Sequence, residues 1–162
     1  MQVVKDLLAS FEIITSTDNQ GNTALHVAAY RGYLKVVEFL LHASPSLASM
    51  KNNYGNGNTL LHVIVAGFRT PSFQRIEWQT ELVKQLVCGE VVDIHDIINV
   101  RNLNGRTALH MAVTENVQSN LVELLLTVPS IDLNVRDADG MTPLDLLMRR
   151  PKSLSSEILT KN

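Results

Sequence analysis

Short aliphatic stripes with the spacing of one helix face recur along this chain. The pattern Val-Val-x-x-Leu-Leu occupies residues 3–8 and 36–41, and close variants occupy residues 82–87 and 121–126. Apolar residues at positions i, i+1, i+4 and i+5 lie on one side of an α-helix, so each stretch predicts a short amphipathic helix. A pair of helices this short cannot bury all its apolar surface alone, and the pattern therefore predicts helices that stack on their neighbours.

A turn motif of the form Gly-x-Thr-x-Leu alternates with these stripes. Its copies begin at Gly21, Gly57, Gly105 and Gly140, at intervals of 36, 48 and 35 residues. Glycine supplies a positive φ in a tight turn without steric cost. The threonine is a good helix N-cap, worth roughly 1 kcal/mol over alanine, and Pro143 in the last copy suits the first helical position. Each copy predicts a tight turn that leads into a helix.

These segments resemble the Gly-x-Thr-Pro-Leu-His signature of ankyrin repeats, whose period is about 33 residues. The resemblance implies an all-α solenoid of helix-turn-helix units joined by β-turn or hairpin loops. We predict a single ankyrin-repeat domain over residues 1–162. It divides into the second half of a truncated repeat, a repeat, a repeat with an insertion, another repeat and a partial terminal repeat, at residues 1–17, 18–51, 52–101, 102–136 and 137–162.

Features at both ends indicate a fragment of a longer polypeptide. Neither end carries the polar cap that terminal repeats usually need. The loop sequences of the repeats resemble those of plant ankyrin proteins. They include Ala-Ser-Pro-Ser-Leu at residues 43–47 and Gly-Asn-Thr in two turns. Some of those proteins carry membrane segments beyond their repeats.

The interval of 48 residues predicts insertions in one repeat. Pro71 stops a helix, so residues 69–75 are predicted to form a loop and the second helix to resume at residues 77–88. We place the insertions at residues 69–80 and 90–98. Insertions in solenoids emerge on one face and often carry binding.

Two details of this repeat are open from the sequence. Gly55 and Gly57 compete for the single glycine position of the turn, which leaves the register uncertain by two residues. Phe73 and Trp78, in or beside the first insertion, are interpreted either as partner contacts or as packing residues.

Charge argues against a nucleic-acid or anionic-membrane partner. Lysine and arginine number 14 against 16 acidic residues, and the formal net charge is −2. Binding to polyanions needs clustered positive charge, which this chain lacks. Hydrophobic residues make up 45% and aromatic residues only 5%, which suits thin aliphatic helical layers.

The amino-terminal residues lack the basic-then-apolar layout of a secretion signal. The longest apolar stretch, residues 60–68, is too short to span a bilayer. A single cysteine cannot form an internal disulfide, and it lacks the second cysteine that a structural zinc site usually uses. We therefore expect a cytoplasmic protein, with the nucleus as the alternative, and no direct membrane contact from this segment.

Three histidines, His26, His62 and His110, follow the leucine of successive turn motifs. They are candidates for metal ligands or general bases. The alternative is a structural role, in which each ring caps the turn three residues after the N-cap threonine. In ankyrin repeats this histidine belongs to the scaffold, and the fourth copy has Asp145, which suits capping but not shared catalysis. We favour the structural role.

Cys88 with His95 is the remaining candidate for nucleophilic catalysis. No catalytic signature surrounds the pair, and a lone cysteine on an apolar stripe is predicted to be a small core residue. The sequence contains no phosphate loop, paired-carboxylate site or metal-spaced cluster, so we expect no enzyme activity, cofactor, metal or small-molecule substrate. Asn134 lies in a turn where some ankyrin proteins are hydroxylated, but we favour a turn-stabilising role.

In ankyrin proteins the turn tips and the ends of the first helices line a concave face that binds partners. The resemblance carries this role to the matching positions. They are Asn19, Gln20, Asn22, Tyr30, Arg31, Asn58, Phe68, Arg69, Leu103, Asn104, Arg106, Thr114, Glu115, Met141, Arg149 and Arg150.

Two functions follow from the resemblance. The first is a protein–protein interaction module that binds a protein or peptide on this concave face. The alternative is a regulatory ankyrin segment of a larger plant membrane or signalling protein, packing against its own chain.

Overall fold

The computed structural model describes residues 14–52, 57–67, 73–89, 92–114 and 119–149, with residues 73–76, 78 and 119 described by their backbone alone. Secondary structure in these ranges consists of helices and turns, which confirms the all-α class. The α-helices are α1 (Ala24–Arg31), α2 (Leu34–Ala43), α3 (Leu60–Gly67), α4 (Phe73–Val87), α5 (Ala108–Thr114), α6 (Ser119–Leu126) and α7 (Pro143–Met148). Short 3₁₀ turns, Pro45–Ser49 and Ile94–Asp96, follow α2 and α4.

The helices form two rows. In one row α1, α3, α5 and α7 pack consecutively against one another, and in the other α4 contacts both α2 and α6. The rows are joined because α1 packs on α2, α3 on α4 and α5 on α6. This arrangement confirms the solenoid of helical pairs, in which each pair buries the apolar side of the next.

Capping chemistry sets where the first helices begin and end. The Thr23 side chain accepts a hydrogen bond from the backbone N–H of His26, and Gly32 ends α1 in the left-handed conformation at φ 75°. Thr142 caps α7 in the same way as Thr23, with Pro143 at its first position. The roles predicted for threonine and proline are therefore confirmed at these helices.

The aliphatic stripe of α2 differs from its prediction at one position. Val37, Leu40 and Leu41 are at most 1% exposed, but Val36 is 40% exposed. The matching residue of α6, Leu121, is fully buried, because α4 packs on the preceding side of α6. Adjacent residues of the α2 stripe therefore face different surroundings.

The second helix of the long repeat begins earlier than predicted. Helix α4 starts at Phe73, so the predicted loop is wrong for residues 73–75. A proline excludes helix from the residue before it but does not prevent a helix that starts after it. Residues 68–72, which include Phe68 and Arg69, lie outside the described residues, as do the side chains of Phe73 and Trp78.

The second extension of the long repeat packs inside the solenoid. Ile94, Ile97 and Ile98 are each at most 3% exposed. The side chain of Asn99 donates to the carbonyl of Ser130 at 2.8 Å and accepts the N–H of Asp132 at 2.8 Å. These contacts fasten the extension to the end of the following repeat.

Candidate functional site

An Asp or Asn side chain shapes each turn of the solenoid. Asp18 Oδ1 accepts the backbone N–H of Gln20 at 2.8 Å and of Asn22 at 2.9 Å. In the fourth turn Asp137 Oδ1 accepts the backbone N–H of Asp139 at 3.0 Å and of Met141 at 2.9 Å. In the third turn Asn102 Oδ1 accepts the corresponding two N–H groups. A side chain that accepts local N–H groups makes each turn rigid before any partner arrives.

The register of the second turn follows from the same hydrogen bonds. Asn52 Oδ1 accepts the N–H of Asn58 at 2.8 Å, six residues away instead of four. Gly57 has a positive φ of 66°, and the turn glycines of the other copies also have positive φ values. The turn therefore contains two extra residues, and Gly57 occupies the motif position.

A ladder of side chains connects neighbouring turns. Asn52 donates to Asn22 Oδ1 at 3.1 Å, and Asn102 donates to Asn58 Oδ1 at 3.0 Å. At the next step the Arg106 guanidinium binds Asp137 Oδ2 at 3.3 Å. Since Asn58 is 7% exposed, its side chain holds repeats together, and we leave it out of the candidate binding surface.

Asp137, the last member of this ladder, remains charged although it is buried. Burial raises the pKa of its carboxyl group, but the N–H donors of Met141 and Asp139 and the guanidinium of Arg106 outweigh that effect. The pKa therefore lies below its usual value. The ion pair is a fixed part of the scaffold, since one partner is almost inaccessible to water.

The motif histidines form a second ladder, deeper in the molecule. His26 Nε2 lies 3.0 Å from the Asn58 carbonyl, His62 Nε2 lies 2.8 Å from the Arg106 carbonyl, and His110 Nε2 lies 3.0 Å from the Met141 carbonyl. A carbonyl can only accept, so each Nε2 carries the proton and each Nδ1 is an acceptor. Each Nδ1 in turn accepts the N–H of its own N-cap threonine at 3.1–3.2 Å.

These rings are held in their neutral form. Burial lowers the pKa of His26 and His110 and lowers that of His62 to about 4, against the opposing effect of each carbonyl. Both nitrogens of each ring are engaged in scaffold hydrogen bonds, which is the geometry that the structural interpretation predicted. In the fourth copy Asp145 accepts the N–H of Thr142 at 3.0 Å in place of a ring nitrogen.

A groove of about 390 Å³ lies on the side of the first helices, between α1 and α3. Tyr30 and Arg31, at the end of α1, are exposed on its rim. Their side chains have no hydrogen-bond or ion-pair partner among the described residues. The remaining lining is Asp18, Gln20, Asn22, His26, Val27, Asn52, Asn58, Val63 and Ala66.

Among the described candidates, the groove is lined by Gln20, Asn22, Tyr30 and Arg31 of the first repeat and by Asn58 of the second. Asn19 lies exposed at the tip of the same turn, beside Gln20. Leu103 and Asn104 are exposed on the third turn tip, where Leu103 is 72% exposed although it lies over Gly57. Leu103 is thus a separate exposed aliphatic position further along the array.

The later candidates lie at the far end of the array. Thr114 is half-buried at the end of α5, and its hydroxyl donates to the His110 carbonyl at 2.8 Å. Met141 is half-buried and Arg149 is exposed at the end of α7. Glu115 and Arg150 lie outside the described residues.

Sequence reasoning missed the apolar floor of the groove, which consists of Val27, Val63 and Ala66. Val27 lies one helical turn before Tyr30 and is 37% exposed. That helical spacing from Tyr30 and Arg31 was an available signal. The contribution of Val63 and Ala66 had no such signal, because it depends on how closely α3 approaches α1.

An unforeseen contact supports the rim of the groove from behind. The fully buried side chain of Gln79 on α4 donates from Nε2 to the Tyr30 carbonyl at 3.3 Å. It passes over Gly67, where an added Cβ would lie 2.0 Å from that nitrogen and 2.9 Å from the same carbonyl. Gln79 Oε1 is buried and has no hydrogen-bond partner among the residues that the structure describes. Three helices therefore meet at Gln79, and Gly67 leaves the space for it.

We expect Gly67→Ala to lower the free energy of unfolding by roughly 1–3 kcal/mol, because the new methyl group overpacks this junction. A loss of stability would be informative, because replacing glycine by alanine inside a helix otherwise stabilises the helix by about 1 kcal/mol. Urea unfolding followed by circular dichroism measures the change. The double variant with Gln79→Ala should recover part of the loss. A Gly67→Ala protein more stable than the wild type would contradict the described packing.

The structure describes both residues that were weighed for nucleophilic catalysis, Cys88 and His95. Cys88 is exposed just beyond α4, so its predicted burial in the core is wrong. Its position follows from the helix ending at Val87, which carries residue 88 out of the apolar stripe. His95 Nδ1 hydrogen-bonds to the Ser130 hydroxyl.

Asn134 lies in a turn, as the sequence predicted, and Asp132 Oδ1 accepts its backbone N–H at 2.9 Å.

In the described part of the chain, no three His, Cys, Asp or Glu side chains are grouped so that they could hold a metal ion. Nor does any helix there combine the length and hydrophobicity needed to cross a membrane.

Stacked helical pairs, cross-linked turns and an open groove along the first helices define an α-helical repeat solenoid. A family model described as ankyrin repeats, many copies, matches residues 7–64 and 94–147, which is more than half of the chain. The chain belongs to the ankyrin repeat family. This family is a protein–protein interaction module without catalytic chemistry of its own.

Known relatives are much longer than this chain. Nuclear factor NF-kappa-B p105 subunit of Gallus gallus is 30% identical over 92% of this chain and 14% of its own length. Ankyrin repeat-containing protein BDA1 of Arabidopsis thaliana is 38% identical over 39% of this chain and 15% of its own. Transient receptor potential cation channel subfamily A member 1 of Homo sapiens is 30% identical over 73% of this chain and 9% of its own.

Proposed function

We propose that this chain binds a partner protein on the concave side of the first helices, centred on the groove between α1 and α3. The observation that carries the proposal is the pair Tyr30 and Arg31, exposed on the groove rim without partners among the described residues. Tyrosine and arginine are among the residue types that most often dominate binding energy. The apolar floor beneath them offers surface that a partner can desolvate.

Rigidity of the surrounding turns supports the same proposal. The backbone around Gln20 and Asn22 is held by Asp18, and Asn22 is tied to the next turn through Asn52. A surface that is ordered before binding loses little conformational entropy when a partner docks. The first turn therefore does not need to refold in order to present its outer side chains.

The test is the double variant Tyr30→Ala/Arg31→Ala, compared with the wild type against a partner isolated on the wild-type chain. We expect its Kd to rise at least tenfold, equivalent to about 1.4 kcal/mol, with an unchanged unfolding midpoint. Titration calorimetry gives the Kd and thermal unfolding gives the midpoint.

The matched control is Glu81→Ala/Lys84→Ala, which removes two exposed side chains from α4 in the other row. Its Kd should equal that of the wild type. Unchanged affinity in a folded Tyr30/Arg31 variant would remove the groove from the proposal.

A second candidate is regulation of a larger polypeptide by packing against its own chain. It is supported by the small share of each relative that this chain spans, 14% or less for the p105 subunit and the cation channel. The test joins this chain to its natural flanking sequence and measures affinity for the isolated partner. Weaker binding in the joined form supports intramolecular competition, and equal binding rejects it.

A further inference from the structure

We propose that the groove between α1 and α3 recognises a short segment of a partner protein that carries an acidic side chain next to an aliphatic one. In this arrangement Arg31 and the Tyr30 hydroxyl bind the carboxylate, while Val27, Val63 and Ala66 contact the aliphatic side chain. The inference rests on the proposed interaction function and adds the chemistry of the partner.

Charge is distributed unevenly along the groove. Its charged lining residues are Asp18 at the turn and Arg31 at the far end of α1, and His26 between them is held neutral by burial, which lowers its pKa. Helix α1 has eight residues, so Arg31 lies roughly 10 Å along the helix axis from the amino-terminal end that follows the turn of Asp18. An acidic side chain is therefore attracted to one end of the groove and repelled from the other.

Arg31 is available for this role. Its guanidinium has no carboxylate partner among the described residues, unlike Arg106, which is paired with Asp137. A guanidinium offers two parallel N–H groups that match the two oxygens of a carboxylate. The neighbouring Tyr30 hydroxyl can donate a further hydrogen bond to the same group.

The carboxyl end of a helix normally repels an anion, because its last carbonyl groups carry partial negative charge. At α1 three of those carbonyls are engaged. The N–H of Gly32 donates to the carbonyls of Ala28 and Ala29, and Gln79 donates to the carbonyl of Tyr30. The local opposition to a bound carboxylate is thereby reduced.

The aliphatic half of the proposed segment is matched by the floor. Val63 is 7% exposed and Val27 is 37% exposed, and Ala66 is half-buried beside them. Small and branched side chains leave a shallow depression between two helices, which suits one aliphatic side chain more than a large ring. The side-chain amide of Gln20 borders this floor and can pair with the backbone of the bound segment.

The test uses fluorescently labelled peptides that contain one leucine followed by Asp, Asn or Lys, with all other positions alanine or glycine. Binding to the complete chain is followed by fluorescence anisotropy. We expect the Asp peptide to bind at least tenfold more tightly than the Lys peptide. Replacing leucine by serine should weaken the Asp peptide, because the floor then has no apolar partner.

The decisive variant is Arg31→Glu, with Lys84→Glu on α4 as the control of identical charge change. We expect Arg31→Glu to reverse the preference towards the Lys peptide, while Lys84→Glu keeps the preference for Asp. Circular dichroism verifies that both variants are folded. A reversal of preference cannot arise from partial unfolding, which weakens both peptides alike.

Failure of the inference is distinct from failure of the proposed function. The inference is overturned when the wild type shows no preference for Asp, when no peptide binds, or when Arg31→Glu retains the preference. In each of these cases the Tyr30→Ala/Arg31→Ala comparison with an intact partner still decides whether the groove is an interaction surface.

Discussion

Replacing Gly105 with alanine is expected to lower the free energy of unfolding by roughly 2–5 kcal/mol, whereas Gly140→Ala should cost only roughly 1–2 kcal/mol. Both glycines have a left-handed backbone, at φ 72° and 77°. An alanine at either position therefore pays the same conformational penalty, because its Cβ crowds the following carbonyl oxygen.

The difference between the two sites lies in what surrounds the new methyl group. At Gly105 it would lie 2.7 Å from the backbone nitrogen of Ala138 and 2.8 Å from an Arg101 guanidinium nitrogen. At Gly140 no atom of the described residues lies within 4 Å. The backbone of Ala138 cannot withdraw easily, because its N–H donates to the Asn104 carbonyl at 2.9 Å. This contact joins the third turn to the fourth.

Chemical denaturation of the two variants and the wild type measures both effects. Both glycines have the same local backbone conformation. The larger loss of unfolding free energy at Gly105 therefore measures the contact between the third and fourth turns. Equal losses at the two positions would show that the turns are not packed as closely as described.

Acidification is expected to destabilise the protein between pH 6.5 and about 4.5 through His62. Burial lowers the folded-state pKa of this ring from 6.5 to about 4. In that window the unfolded chain binds a proton that the folded chain excludes. The contribution of neutral His62 to the free energy of unfolding is therefore fully present above pH 6.5. It is lost progressively as the pH falls towards the folded-state pKa, and the loss totals about 3 kcal/mol.

His26 and His110 act in the same direction, since burial lowers the pKa of each ring. The carboxyl groups with lowered pKa, those of Asp18, Asp137 and Asp145, contribute in a different window. Their stabilisation is present above pH 3.8 and is lost below it. The interval from pH 6.5 to 4.5 therefore reports mainly on the histidine ladder.

Urea denaturation at several pH values measures the slope of stability against pH. His62→Gln should be less stable at pH 7, because the ladder is broken, and should show a shallower slope. The control is His42→Gln, at an exposed histidine on α2, which should keep the wild-type slope. A His62→Gln variant whose slope equals that of the wild type would mean that this ring titrates normally.

The exposure of a candidate residue was predictable from the sequence where it depends on the residue's own repeat, and its part in binding stays a prediction. Tyr30 and Arg31 were placed from their position at the end of a first helix, and the structure exposes both on the groove. Asn22, Asn58 and Arg106 were selected by the same rule, but their side chains join adjacent turns. The sequence did not distinguish these two outcomes, because each depends on a side chain 30 or more residues away.

The sequence alone determined the periodic part of this protein: where the first helix of each repeat begins, which residues cap it, and that helical pairs stack. These features arise from interactions within a few residues, such as the N-cap of Thr23 and the left-handed Gly21. The tertiary structure decided the exposure of Val36, the passage of Gln79 over Gly67 and the floor of the groove. Each of these depends on the distance between helices from different repeats, which local spacing in the sequence does not specify.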